Sequence, residues 1–285
     1  MADNPSTSNR IALVVGSGAV KCAAALGLWR VLQRESIPID LFVGCSGGTL
    51  FTTMMALGAD LEEVEALTKK LWTRKVTASR NLKAVASVFL PKFFSFDSQF
   101  SLISDEALNR MLSEGFGDRT FADTVTPLHI STTDLHTGEK VVLSEGRLVD
   151  AIRASIAIPY VWPAWQVGDR FLVDGCLSNP LPVDVAIREG AEIILAMGFE
   201  AEYPRKIKSA TRYAFQLNSV YTNNLLRASY AFHNLAHHSE IIPVLPDFDQ
   251  RVSLFDTGKF SYVIEQGEKT AEQQLPYIKQ LLAAG

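Results

Sequence analysis

Apolar residues in the first part of the chain fall into short unbroken runs, each ended by a turn signal. Ile11–Val15 is such a run, closed by Gly16-Ser17-Gly18. A strand buried on both faces reads this way, whereas a strand facing solvent on one side alternates. Ala19 to Arg34 follows with helical composition and apolar positions at Ala23, Leu26, Trp29 and Val31-Leu32. Ile39–Val43 is a second run, broken by Gly44, and a further helix is expected after Gly48. Two strand–turn–helix units so close together predict a parallel sheet covered by helices.

Farther along, residues from Asp60 to about Leu112 read as mainly helical. The exception is Val88 to Phe96, where Pro91 and clustered phenylalanines break any regular amphipathic helix. Leu128–Ser131 and Lys140–Leu143 are expected strands around a Thr137-Gly138 turn, with Phe171–Val173, Glu192–Met197 and Ile241–Leu245 as later ones. Ala210 to His238 is a polar helical region, and a last helix is expected from about Lys259 to Leu282. No repeat, low-complexity tract or linker divides the chain. Residues 11–285 are therefore expected to form one domain behind a disordered segment, residues 1–10.

Composition narrows the function classes. The chain has 285 residues, 47% apolar and 20% charged, with a net charge of -4. That is a globular balance, long enough for a sizeable core. The negative charge argues against nucleic acid, since nothing would neutralise phosphates wholesale. The one basic cluster, Arg205, Lys206, Lys208 and Arg212, reads as a solvated face. The N-terminus lacks a basic-then-apolar leader, and the apolar runs fall far short of the ~20 residues that span a bilayer. A cytoplasmic protein is expected, with membrane contact at most peripheral. Cys22, Cys45 and Cys176 are odd in number and have no metal-like spacing, so neither a disulfide framework nor a metal site is expected.

The chemistry concentrates at Gly44-Cys45-Ser46-Gly47-Gly48, a G-x-S-x-G pattern between a buried strand and an expected helix. A serine on a sharp strand-to-helix turn approaches disfavoured backbone angles and needs small neighbours. The helix beyond it aims free N–H groups at any negative charge forming nearby. The bare pattern arises by chance in roughly one chain of this length in ten, so its setting carries the weight. A serine hydroxyl also needs a proton acceptor. His129 lies in an apolar strand as a core histidine, and His136, His233, His237 and His238 read as loop or helix-surface residues. Asp174, at the end of Phe171–Val173 and before Gly175, is the carboxylate candidate, although a strand-end Asp-Gly is equally an ordinary turn. The Gly16–Lys21 loop reads either as a source of N–H donors for an oxyanion or as a dinucleotide cradle. The cradle lacks its third glycine, with Lys21 in that place.

In this order the segments resemble the patatin-like phospholipase family, specifically its compact bacterial members. The glycine-rich loop Gly16–Lys21, the pattern Gly44–Gly48 and Asp174-Gly175-Cys176 match its signature. Ala151–Pro159 and Asn179–Asp184 match the stretches before and after the aspartate, and the likeness covers about Ile11 to Phe199. The resemblance implies a three-layer α/β/α fold with a mainly parallel sheet. It implies a Ser–Asp dyad and hydrolysis of acyl esters in phospholipids, lysophospholipids or neutral lipids, with no cofactor. Ser46 would be the nucleophile and Asp174 the general base, with Gly16, Ser17, Gly18 and Ala19 as the oxyanion loop. Ser17, Ala19, Cys22 and Cys176 depart from the family, which usually has glycine at the first three places and glycine or alanine at the fourth. An acyltransferase, or a lipid binder that has lost catalysis, would keep the same fold. Lys21 is a candidate for head-group phosphate. Phe93 and Phe94, with Phe89, Leu90, Phe96 and Phe100 around them, are candidates for an acyl-chain pocket or lipid-facing cover.

Overall fold

The computed structural model describes residues 10–71, 81, 100–203, 206–236, 239–253 and 256–284. Residues 1–9 and most of the phenylalanine-rich stretch, including Phe89, Leu90, Phe93, Phe94 and Phe96, lie outside the described residues. Eight strands form one sheet, paired along the path β5-β6-β3-β2-β1-β7-β8 with β4 pairing β3 off that path. They are β1 Ile11–Val15, β2 Leu41–Cys45, β3 Leu128–Asp134, β4 Lys140–Leu143, β5 Trp165–Val167, β6 Arg170–Asp174, β7 Ile193–Met197 and β8 Glu240–Val244. The run β3-β2-β1-β7-β8 is parallel, and β4, β5 and β6 join it in antiparallel pairs.

Most elements lie where the apolar pattern places them. The exception at the second strand is informative. It runs Leu41–Cys45 rather than Ile39–Val43, and Gly44 lies inside it instead of breaking it. Packing explains this, because a Cβ on Gly44 would lie 2.3 Å from the Thr52 hydroxyl and 2.7 Å from the Thr49 Cα of the following helix. The glycine lets the helix press onto the strand that launches it. The sequence pattern also missed β5 and the helices over residues 148–155 and 183–188, which are short and lack a full amphipathic repeat.

Helices cover both faces of the sheet, as the alternation along β1 shows. Ile11, Leu13 and Val15 point into the larger core, formed with α1 (Ala24–Arg34), α2 (Gly47–Ala56) and parts of α4 (Glu106–Phe116), α5 (Leu148–Ser155) and α8 (Phe260–Ala284). The remaining helix introduced before α4 is α3, Leu61–Leu71. Ala12 and Val14 point into the other core, against α6 (Val183–Arg188) and Leu226 of α7 (Ala210–Ala236). The architecture is three-layered α/β/α, as the family resemblance implies.

Two glycines set how closely the outer helices approach. A Cβ on Gly27 of α1 would meet the Ile264 carbonyl oxygen of α8 at 2.1 Å, and a Cβ on Gly267 of α8 would meet the Ala24 carbonyl oxygen at 2.0 Å. The two backbones are in direct contact. Since α1 continues the glycine-rich loop through a 3-10 turn, Ala19–Ala23, α8 braces the loop from behind. At an open helical site, Gly→Ala gains up to about 1 kcal/mol from helix propensity. For Gly27→Ala the overpacking wins, and a loss of roughly 1–3 kcal/mol is expected in urea unfolding. A neutral or stabilising result would show that the helices can part without cost.

Candidate active site

Strand register brings the two halves of the site together. Gly44↔Ile130 and Cys45↔Ser131 pair β2 with β3 in parallel, while Thr132↔Asp174 and Thr133↔Val173 pair β6 with β3 antiparallel. Strand β4 pairs Ile130 through Thr133 without a break and so occupies the opposite edge of β3. Strands β2 and β6 therefore approach along the same edge from opposite ends. They stop at adjoining rungs, which leaves Ser46 facing Asp174.

Ser46 sits at φ 54°, ψ −129°, a positive φ that a side-chain-bearing residue holds only under constraint. The constraint is visible on both sides. Its N–H donates to the Ser155 hydroxyl at 2.9 Å, and that hydroxyl donates to the Ser131 carbonyl at 2.8 Å and lies 2.9 Å from the Thr49 hydroxyl. On the other side the chain enters α2 through Gly47 and Gly48, where neither has room for a Cβ. A Cβ on Gly47 would touch the Ala19 backbone at 2.8 Å, and one on Gly48 the Val15 carbonyl at 2.3 Å. Ser155 is the site residue that the sequence reading missed. It lies inside the matched stretch Ala151–Pro159, but only the fold shows that its hydroxyl ends beside the turn.

The Ser46 hydroxyl donates to Asp174 Oδ2 at 2.6 Å, and the Cys176 N–H donates to Oδ1 at 2.9 Å. Asp174 has no exposure to water and Ser46 only 5%. Burial pushes the Asp174 carboxyl up to about 6, and the hydrogen bonds from Ser46 and Cys176 pull the other way. No histidine joins this pair among the described side chains. His129 is half-buried with Nε2 3.7 Å from Glu189, burial lowering its pKa, and His136 packs edge-on against Phe171. The His233 side chain, His237 and His238 lie outside the described residues.

The Gly16–Ala19 loop lies against the turn, since Ala19 packs on Gly47. Its four amides are not equivalent. Gly16 N–H donates to the Met197 carbonyl at 2.9 Å and Ser17 N–H to the Pro180 carbonyl at 2.8 Å, which ties the loop to the sheet and to the segment after Asp174. The N–H groups of Gly18, Ala19 and Gly47 have no acceptor among the described residues. Lys21 does not point into the site. Its ammonium donates to the Glu200 carbonyl at 3.0 Å, lies 3.9 Å from Glu202 and stacks 5.3 Å over the Phe248 ring, and burial lowers its pKa. Phe100 is half-buried.

All three cysteines surround the pair and all are buried. Burial first, and the Asp174 charge second, push each thiol well above its ordinary range, so they stay protonated apolar fillers. A cavity of about 610 Å³ between α2, α3 and α4, lined by Met54, Leu57, Ala59, Leu67, Phe116 and Arg119 among others, lies elsewhere. Met54 is eight residues beyond Ser46, so the cavity sits roughly 12 Å down the helix.

Ala19 holds φ 50° where the related family usually has glycine. A left-handed alanine costs about 1–2 kcal/mol. Ala19→Gly is therefore expected to raise the thermal midpoint by roughly 2–4 °C, with the Ser46–Asp174 pair undisturbed. An unchanged or lower midpoint in calorimetry would mean that the Ala19 methyl contributes packing equal to the strain.

Comparisons with known proteins show the family. The patatin-like phospholipase family model matches residues 13–187, which include both Ser46 and Asp174. Patatin-like phospholipase domain-containing protein 7 of Rattus norvegicus is 30% identical over 193 residues, 67% of this chain and 14% of its own. Neuropathy target esterase sws of Drosophila melanogaster is 30% identical over 195 residues, 67% of this chain and 13% of its own. The chain thus spans about a seventh of the length of these curated relatives. In fold it resembles the crystal structure of VipD from Legionella pneumophila, with a TM-score of 0.51 at 12% identity over 95% of this chain and 67% of that one. With a family model covering more than half its length, the chain belongs to the patatin-like phospholipase family.

Proposed function

We propose that this chain hydrolyses acyl ester bonds of lipids through an acyl-enzyme on Ser46, with Asp174 as the base. The observation that carries the reading is the 2.6 Å hydrogen bond from the Ser46 hydroxyl to a carboxylate shielded from water and poised near pH 6. The names of its relatives, a phospholipase-domain protein and an esterase, agree with that reaction class.

In the first half-reaction the Ser46 oxygen attacks the ester carbonyl carbon and its proton passes to Asp174 Oδ2. The negative oxygen that forms is met by amides that have no acceptor among the described residues, those of Gly18 and Ala19 on one side and Gly47 at the start of α2 on the other. Gly16 and Ser17 serve the same oxyanion loop indirectly, by anchoring it. Collapse expels the alcohol, which takes the proton from Asp174. A water then attacks the acyl-enzyme and gives its proton to Asp174. The fatty acid leaves as that proton returns to Ser46. The substrate comes from a lipid aggregate, so peripheral contact with a membrane belongs to the same reading.

Ser46→Ala and Asp174→Asn are each expected to abolish turnover of a p-nitrophenyl ester panel and of phospholipid vesicles, because a two-residue unit fails when either member goes. No histidine→alanine variant should approach that loss. A folded histidine variant as inactive as Ser46→Ala would sink the dyad.

Because the base must be ionised, kcat/KM is expected to fall below a midpoint near pH 6. The same shift sets a stability difference. Asp174 binds its proton more tightly folded than unfolded, where its pKa is about 3.9. The native state therefore gains stability from this group below pH ~4 and loses it as pH rises through the folded value. Asp174→Asn removes that loss. At pH 8 it should be more stable than wild type by on the order of 2–3 kcal/mol, with the gap closing towards pH 4. Equal stabilities at both pH values would show that the carboxyl is not perturbed.

A further inference from the structure

Helix α7 carries an outward face unlike that of an ordinary surface helix. Between Arg212 and Arg227 it has no charged residue, although solvent-facing helical surfaces are normally charged. Tyr213, Leu217, Tyr221 and Leu225, spaced four apart, line one stripe, and all are exposed, Tyr213 at 55% and Tyr221 at 65%. The opposite side of the same helix is satisfied, with Leu226 in the core and Asn223 bonded to both the N–H and the carbonyl of Ala201.

The charges around the stripe are sorted. Arg227 at one end is neutralised by a two-point pair with Glu200, at 2.8 and 2.6 Å. At the other end Lys206, Lys208 and Arg212 are exposed, and no carboxylate pairs with them among the described residues. The stripe is also next to the site. Helix α7 packs against the Gly175–Leu177 turn that follows Asp174, and Leu177 is 37% exposed there.

We propose that α7 is the face by which this protein lies on an anionic lipid surface. The Tyr213–Leu225 stripe enters the head-group region, and Lys206, Lys208 and Arg212 meet the lipid phosphates. Tyrosine suits that boundary because its ring is apolar and its hydroxyl stays wet. Unpaired cations next to an uncharged apolar stripe match a surface that offers anionic groups over hydrocarbon. The proposal rests on the lipid-hydrolase reading for its purpose, since it would bring a lipid aggregate to the mouth of the Ser46 site.

The test uses the full chain with Ser46→Ala, so that no lipid is consumed, sedimented with phosphatidylcholine vesicles with and without phosphatidylglycerol. The parent is expected to bind, preferring the anionic vesicles. Leu217→Gln, Tyr221→Gln and Leu225→Gln together should cut the bound fraction roughly tenfold. Lys206→Glu with Lys208→Glu, in a non-helical stretch, should remove the preference for phosphatidylglycerol even if the triple variant proves hard to fold. With Ser46 restored, the triple variant should hydrolyse a short soluble ester as fast as wild type. The proposal is overturned if the parent sediments with neither vesicle, if the variants bind like the parent, or if the parent is a dimer that the triple change dissociates. Vesicle binding by a wild-type chain that turns over no ester would support this face and overturn the hydrolase reading instead.

Discussion

A carboxylate held away from water beside a serine hydroxyl keeps its charge only while both of its own oxygens accept hydrogen bonds. Asp174 spends one oxygen on Ser46 and the other on the Cys176 amide, and three protonated thiols fill the space that water would otherwise take. Its ionised form is disfavoured by the same burial that raises its proton affinity, so stability and basicity are coupled through one desolvation cost. The rest of the site follows from keeping those atoms in place. Strands β2 and β6 must end on adjoining rungs of β3, and Ser46 must hold a backbone angle it would not choose alone.

Strain of that kind persists only where surrounding structure over-determines it. Here the supports are backbone and hydroxyl contacts rather than side-chain bulk. Ser155 fastens the Ser46 amide to the end of β3, and Gly47 and Gly48 let the neighbouring backbone come to where a Cβ would stand. The two anchored amides of Gly16 and Ser17 fix the loop's position, while the next two have no acceptor among the described residues. Anchoring thus falls on the first two residues of the loop.

Much of this was legible in the sequence, and the missing parts share a cause. Ser46 stood out because its G-x-S-x-G turn ends a buried run, a local signal. Asp174 read equally as an ordinary turn until the family resemblance paired it with Ser46, to which it is hydrogen-bonded. A parallel sheet covered by helices followed from unbroken apolar runs alternating with helical stretches, and the three-layer arrangement from the family resemblance. Ser155 could not be assigned a role, because its partners Ser131 and Ser46 lie 24 and 109 residues away. The fates of the Gly16 and Ser17 amides depend on Met197 and Pro180, equally remote in sequence. Lys21 looked free for phosphate because nothing local marks Glu200, Glu202 and Phe248 as its neighbours. The second strand was misplaced by two residues because glycine ordinarily weakens strands, and the helix that needs Gly44 small is visible only in three dimensions.

The backbone contact between α1 and α8 bears on how the protein is made. Ala24 and Gly267 touch across about 240 residues of chain. At 5–20 residues per second, the helix behind the glycine-rich loop leaves the ribosome roughly 10–50 seconds before the one that braces it. Throughout that interval the small-residue groove on α1 is open, and strands β1 and β2 await parallel neighbours encoded much later. A nascent chain thus carries the serine turn long before it carries the scaffold that holds the turn strained.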